Sequence, residues 1–277
     1  MITRTFAHIK GVSEKTEQKL WSLNITDWDS FLSTKDIPLS GKKAAVIKQE
    51  LVSSQKALLS NDHLYFYKRL PNKLHWRLFD EYKTSTVYLD IETTGLNYSD
   101  EITTCVLYDG KNIRYYVNGQ NLDDLVADLK PYKTIITYNG KCFDVPFIEK
   151  YFDVKLPQAH IDLRYVLASL GYSGGLKGCE RQFGMSRSEL EGVDGFFAVL
   201  LWQEYKKGKK IALDTLLAYN AEDVVNLEYL MHQAYNQKLK ITSLAAIQPL
   251  EIPKKPKIHF SPDSKLIKNL KTRFYSI

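Results

Sequence analysis

Tyr88-Leu89-Asp90-Ile91-Glu92-Thr93-Thr94-Gly95-Leu96 reads as a strand that runs into a tight turn. Asp90 and Glu92 stand two positions apart, so on an extended backbone their side chains leave the same face. Two carboxylates on one face repel each other unless something neutralises them. The flanking Val87, Leu89 and Ile91 predict that the strand lies in a core. Acids held in a core mark either an ion pair or a metal site. A ligand set made of oxygens alone suits Mg²⁺ or Mn²⁺.

Two later segments add to this strand. In the first, the β-rich run Thr134-Ile135-Ile136-Thr137-Tyr138 stops at Asn139-Gly140, a turn signal, and Asp144 follows near the start of a predicted helix. In the second, Tyr219-Asn220-Ala221-Glu222-Asp223 lies inside a long helical pattern. Tyr219 and Asp223 are four apart and share one helix face. Glu222 adjoins Asp223 but points elsewhere, so it is left out of the ligand set.

Taken in order, Asp90 and Glu92, Asp144 in an Asn-Gly-x-x-Phe-Asp setting, and Tyr219-x-x-x-Asp223 resemble the three motifs of the DEDD 3′–5′ exonucleases. The tyrosine resembles that of the DEDDy branch, an arrangement that proofreading domains of polymerases also carry. His75-Trp76-Arg77-Leu78, His160-Ile161-Asp162-Leu163, Gly175-Leu176-Lys177 and Leu201-Trp202-x-x-Tyr205 resemble a narrower group, the YprB-type ribonuclease-H-like proteins. The resemblance covers roughly residues 60 to 235.

It implies an α/β fold, a ribonuclease-H-like mixed sheet flanked by helices. It also implies a metal-dependent 3′–5′ exonuclease acting on single-stranded DNA or RNA 3′ ends, with two Mg²⁺ or Mn²⁺ ions. In that scheme Asp90, Glu92, Asp144 and Asp223 hold the ions and Tyr219 positions the attacking water. Thr93, Thr94 and Leu96 after the metal strand, and Asn139, Lys141 and Phe143 beside the second motif, are the expected nucleic-acid contacts. Helix capping explains Asp162 as well as a role at the site does. Two alternatives stay open: a structure-specific endonuclease on branched DNA, and a noncatalytic nucleic-acid-binding adaptor.

Charge is unevenly spread. Residues 1–83 hold 14 Lys/Arg against 9 Asp/Glu, residues 84–237 hold 15 against 21, and residues 238–277 hold 9 against 2. Basic flanks around an acidic middle would attract a polyanion to a core that otherwise repels it. No apolar run is long enough to span a bilayer. Met1-Ile2-Thr3-Arg4-Thr5-Phe6 lacks the apolar core of a signal peptide. Cys105, Cys142 and Cys179 have no Cys-x-x-Cys spacing, so the expected setting is the cytoplasm, with no membrane partner.

Three regions are expected. Residues 1–58 form a small helical module in which Ile9-Lys10-Gly11-Val12-Ser13 resembles the turn of a helix-hairpin-helix unit. Residues 59–237 form the ribonuclease-H-like domain. Strands are expected near 86–91, 102–108, 112–117 and 133–138. Helices are expected near 121–130, 144–152, 162–170, 176–183, 193–207 and 211–236. Residues 238–277, with four prolines and many lysines, are expected to be an extended basic tail.

Overall fold

The computed structural model describes residues 1–97, 99–242, 244 and 247–274. The chain begins with short helices that serine and aspartate caps start. Ser13 opens α1 (Glu14–Ser22) by accepting from the Thr16 N–H at 3.2 Å, after a turn in which Gly11 has φ +85. Asp27 and Ser30 form a reciprocal cap on α2 (Trp28–Ser33). Ser40 caps α3 (Gly41–Leu59), and α4 (His63–Tyr67) follows. A 3-10 stretch (Asn72–Leu78) then leads into α5 (Phe79–Tyr82).

An ion pair locks these pieces together. Arg77 donates to both oxygens of Glu17, at 2.8 and 2.7 Å, and Glu17 Oε1 also accepts from the Phe6 and Ala7 N–H groups. The apolar cluster that starts at Ile2 and Phe6 continues through Trp76 and Phe79 to Leu230 and Tyr235. The N-terminal helices therefore share one core with the segment that follows them.

The sheet has five strands. β1 (Thr86–Thr93), β2 (Ile102–Tyr108) and β3 (Ile113–Val117) form an antiparallel meander. Asp109-Gly110 makes the second turn, with Asp109 accepting from the Lys111 and Asn112 N–H groups. After α6 (Leu125–Leu129), β4 (Thr134–Thr137) returns parallel to β1. After α7 (Asp144–Tyr151), β5 (Ala159–Asp162) lies parallel to β4, giving the order β3-β2-β1-β4-β5. The sequence pattern predicts four of these strands and misses β5. All four β5 residues are buried, so no polar alternation marks the strand before the helix that follows it.

α8 (Leu163–Ala168), α9 (Gly175–Gln182), α10 (Gly195–Lys206) and α11 (Lys210–Lys240) complete the flanking layers. Val87, Leu89 and Ile91 of β1 pack with Leu125, Leu129 and Ile148. The opposite face of β1, with Asp90 and Glu92, turns to α11. The basic loop after α10 is a self-paired turn, with Lys207 and Lys209 both bound to Glu204.

The C-terminal region departs from the expectation of an extended tail. α11 runs on to Lys240, and Ser264–Phe274 form α12. Leu266, Ile267 and Leu270 sit one turn apart on one face of α12 and are buried with Phe197, Leu201 and Leu216. Prolines and lysines dominate the composition of this region and hide that short amphipathic repeat. Among the described residues no helix is long and apolar enough to cross a membrane.

Candidate active site

β1 is longer than its neighbour β4, and that mismatch creates the site. β1–β4 pairing ends at Tyr88 with Ile136, so β1 runs on with N–H groups no longer claimed by β4. Asp144, at the start of α7, takes one of them: its Oδ1 accepts from Ile91 N–H at 3.1 Å. On the other edge Asp90 faces Val106 and Glu92 faces Thr104, with the register shifting just beyond Glu92.

α11 supplies the rest. Asn220 Nδ2 donates to Asp90 Oδ2 at 2.7 Å and its Oδ1 accepts from Thr104 Oγ1 at 3.1 Å, which ties the helix to β1 and β2. One turn on, Asp223 meets the strand acids. Single oxygens of Asp90, Glu92 and Asp223 all lie within 4.8 Å of one another. Asp144 lies outside that trio, yet its charge is the strongest acting on Asp90.

Such crowding has a marked electrostatic effect. Burial, then the charges of Asp144, Asp223 and Glu92, pushes the Asp90 carboxyl far above its usual range. Burial and then Asp223 do the same to Glu92. Burial pushes Asp144 up to about 7 against the opposing Ile91 hydrogen bond. Hard oxygen donors, close packed and short of positive charge, fit a divalent cation.

Two cations belong to the fold itself, and neither was assigned a role from the sequence. Arg187 inserts between Asp223, which it binds through Nη1, and Glu180, which it holds through Nε and Nη2 at 2.6 Å each. Burial opposes the Arg187 charge, but Asp223 and Glu180 outweigh it and keep the guanidinium protonated. Lys177 donates to the Val193 carbonyl and, at 3.0 Å, to the Tyr219 hydroxyl. Burial, then Asp223, Glu92 and Asp90, raises the Tyr219 phenol far above its usual range. Asn220 was the more legible omission, because it stands three before Asp223 on the same helix face. Arg187 lies where no periodicity gives a side chain a direction.

The expected nucleic-acid contacts are placed in different ways. Leu96 is 84% exposed. Thr93 Oγ1 donates to the Gly95 carbonyl and Thr94 Oγ1 accepts from Glu101 N–H, so both hydroxyls build the turn after β1. Asn139, at φ 66, borders a cleft of about 550 Å³ shared with Tyr138, Arg164 and Tyr172. Lys141 turns away into a seam, where its Nζ meets Tyr67, Asn72 and His75. Phe143 packs on Phe147 with ring centres 5.5 Å apart. Asp162 caps α8 and also accepts from the Asn139 and Lys141 N–H groups, so it shapes the loop that leads to Asp144. Glu222 turns aside to Lys255 and Asn226.

Two solved structures resemble part of this chain. The family B DNA polymerase from the archaeon Pyrobaculum calidifontis is 16% identical, with a TM-score of 0.41 over 59% of this chain and 26% of its own. This chain thus spans about a quarter of the polymerase. Brucella melitensis NrnC with bound Mg²⁺ is 23% identical, with a TM-score of 0.37 over 58% of this chain and 77% of its own. No curated protein matches the sequence significantly. A family model of the RNase_H superfamily matches residues 87–235, more than half of the chain and the whole of the sheet described above, and the protein belongs to that superfamily.

Proposed function

We propose that this protein is a metal-dependent nuclease that removes nucleotides from single-stranded 3′ ends, in the manner of the DEDDy enzymes it resembles. The observation that carries this reading is the buried trio Asp90, Glu92 and Asp223, whose oxygens converge within 4.8 Å. Arg187 binds one Asp223 oxygen, so the fold's own cations leave the trio undercompensated.

Asp90, Glu92 and Asp223 would hold one Mg²⁺ or Mn²⁺ ion, and Asp90 with Asp144 a second. Bound there, such ions supply charge neutralisation at phosphorus and a more acidic water. The chain's own residues supply orientation. Asn220 fixes one Asp90 oxygen and leaves the other to face the trio. Arg187 does the same for Asp223. The raised phenol of Tyr219 stays protonated at neutral pH, so it acts as a hydrogen-bond donor to water or phosphate rather than as a base. Exposed Leu96 stands beyond the end of β1, where a terminal base would arrive. The cleft beside Asn139, with Tyr138, Tyr172 and Arg164, offers rings and a cation to the rest of the strand.

The test is incubation with 5′-labelled and 3′-labelled DNA and RNA oligonucleotides in Mn²⁺. A ladder shortening stepwise from the 3′ end is the expected result. Internal cuts would identify an endonuclease, and binding without cleavage an adaptor. Comparing DNA with RNA assigns the substrate.

A further inference from the structure

Beside the acid trio, one contact has a direction that chemistry fixes. An ammonium group carries three protons and no lone pair, so Lys177 can only donate to the Tyr219 oxygen, 3.0 Å away. That oxygen is therefore an acceptor on the Lys177 side, and its own proton must point elsewhere. Asp223, Glu92 and Asp90 are the charges that act most strongly on the phenol, so its open side is the acid-lined cleft.

We propose that Lys177 is a positioning residue that fixes the Tyr219 hydroxyl as a donor aimed into the cleft. This rests on the nuclease reading above.

Lys177 is itself held. It stands in the first turn of α9, which Gly174 and Gly175 open with φ of +91 and +72. Its second acceptor is the Val193 carbonyl, in the segment that links α9 to α10. α12 clamps that segment from outside: Ser264 Oγ donates to Glu189 at 2.8 Å and Lys271 Nζ to the Glu191 carbonyl at 2.5 Å. A continuous set of contacts thus runs from α12 through Val193 and Lys177 to Tyr219.

A competing role for Lys177 is plain charge compensation of the acids, in which Tyr219 would be incidental. A double-mutant cycle with Lys177→Met and Tyr219→Phe separates the two. Each single variant should lower kcat about tenfold or more with KM changed less than about twofold, and the double variant should be no slower than the slower single. Thermal shifts on adding Mn²⁺ should match wild type, because neither residue is an ion ligand. Multiplicative losses in the double variant, or a weakened Mn²⁺ shift in Lys177→Met, would overturn the proposal in favour of charge compensation. Should Lys177→Met fail to fold, ¹⁵N spectra of the lysine ammonium groups decide. A protected signal that moves in Tyr219→Phe supports the contact, and one that does not move overturns it. Wild type is assayed first: no cleavage of any oligonucleotide in Mn²⁺ removes the nuclease reading and this inference together. Cleavage with no coupling removes this inference alone.

Discussion

Glu17 and the trio of Asp90, Glu92 and Asp223 are both buried acids, and the fold treats them in opposite ways. Glu17 is saturated: Arg77 grips both of its oxygens and two backbone N–H groups add to one of them. Nothing from outside could improve that arrangement. The trio is starved, with Arg187 on one Asp223 oxygen and Asn220 on one Asp90 oxygen for three mutually repelling carboxylates. A buried acid that serves architecture is paid in full by its own chain. Acids left short of positive charge are instead poised to take a cation from solution.

The largest effect expected from this contrast is on rate. Asp90→Ala or Asp223→Ala should slow hydrolysis roughly a thousandfold, the loss of about 4 kcal/mol of transition-state stabilisation, measured as single-turnover cleavage. Retention of more than about a tenth of the wild-type rate would remove these acids from the chemistry. In metal-free buffer Asp90→Asn should melt no lower than wild type, because it relieves repulsion, and its Mn²⁺-dependent shift should be much smaller.

Glu17→Gln should do the reverse. Leaving Arg77 buried without its partner costs about 3–5 kcal/mol, read as a lower denaturant midpoint, while the rate per folded molecule stays at the wild-type value. A fall in rate at saturating stability would mean that the N-terminal helices also serve the site.

A smaller loss is expected at α12. Leu270→Ala removes a buried side chain and should cost about 2–3 kcal/mol of stability. An unchanged melting temperature would mean that α12 is held by its polar contacts alone.

The smallest effect concerns pH. Carboxyls whose folded pKa lies above the unfolded value make the folded state bind more protons, so they stabilise it at low pH. That contribution is lost as pH rises, for Asp144 between about 4 and about 7. In EDTA the unfolding free energy should therefore decline from pH 5 to pH 8 by roughly 1–3 kcal/mol. Mn²⁺ should remove most of the decline, and Glu17→Gln should leave its slope intact. A slope unaffected by Mn²⁺ would separate the raised carboxyls from the cation site.

What the sequence disclosed follows from periodicity. Asp90 and Glu92 share a face because a strand repeats every two residues, and Tyr219 and Asp223 because a helix repeats nearly every four. The meander, the return strand and the long final helix of the core were readable for the same reason. Arg187 was not, because the segment between α9 and α10 repeats at no interval and gives its side chains no common direction. β5 was hidden by uniform burial, and α12 by the prolines before it. Lys141 shows a further limit: its place in the motif predicts a surface cation beside substrate, whereas Tyr67, Asn72 and His75 draw it inward from far away in the chain.

The Asn220–Asp90 contact joins residues 130 apart. Closing so long a loop is entropically costly, and contacts of this kind form late in folding. The acids can therefore converge only after the meander and the last core helix have met, and an incompletely folded chain offers no gathered carboxylates to an ion. Cation uptake thus becomes a clock for the end of folding. In stopped-flow refolding, Mn²⁺ binding should lag behind the recovery of helical signal, with the interval between them timing the arrival of α11 on the sheet.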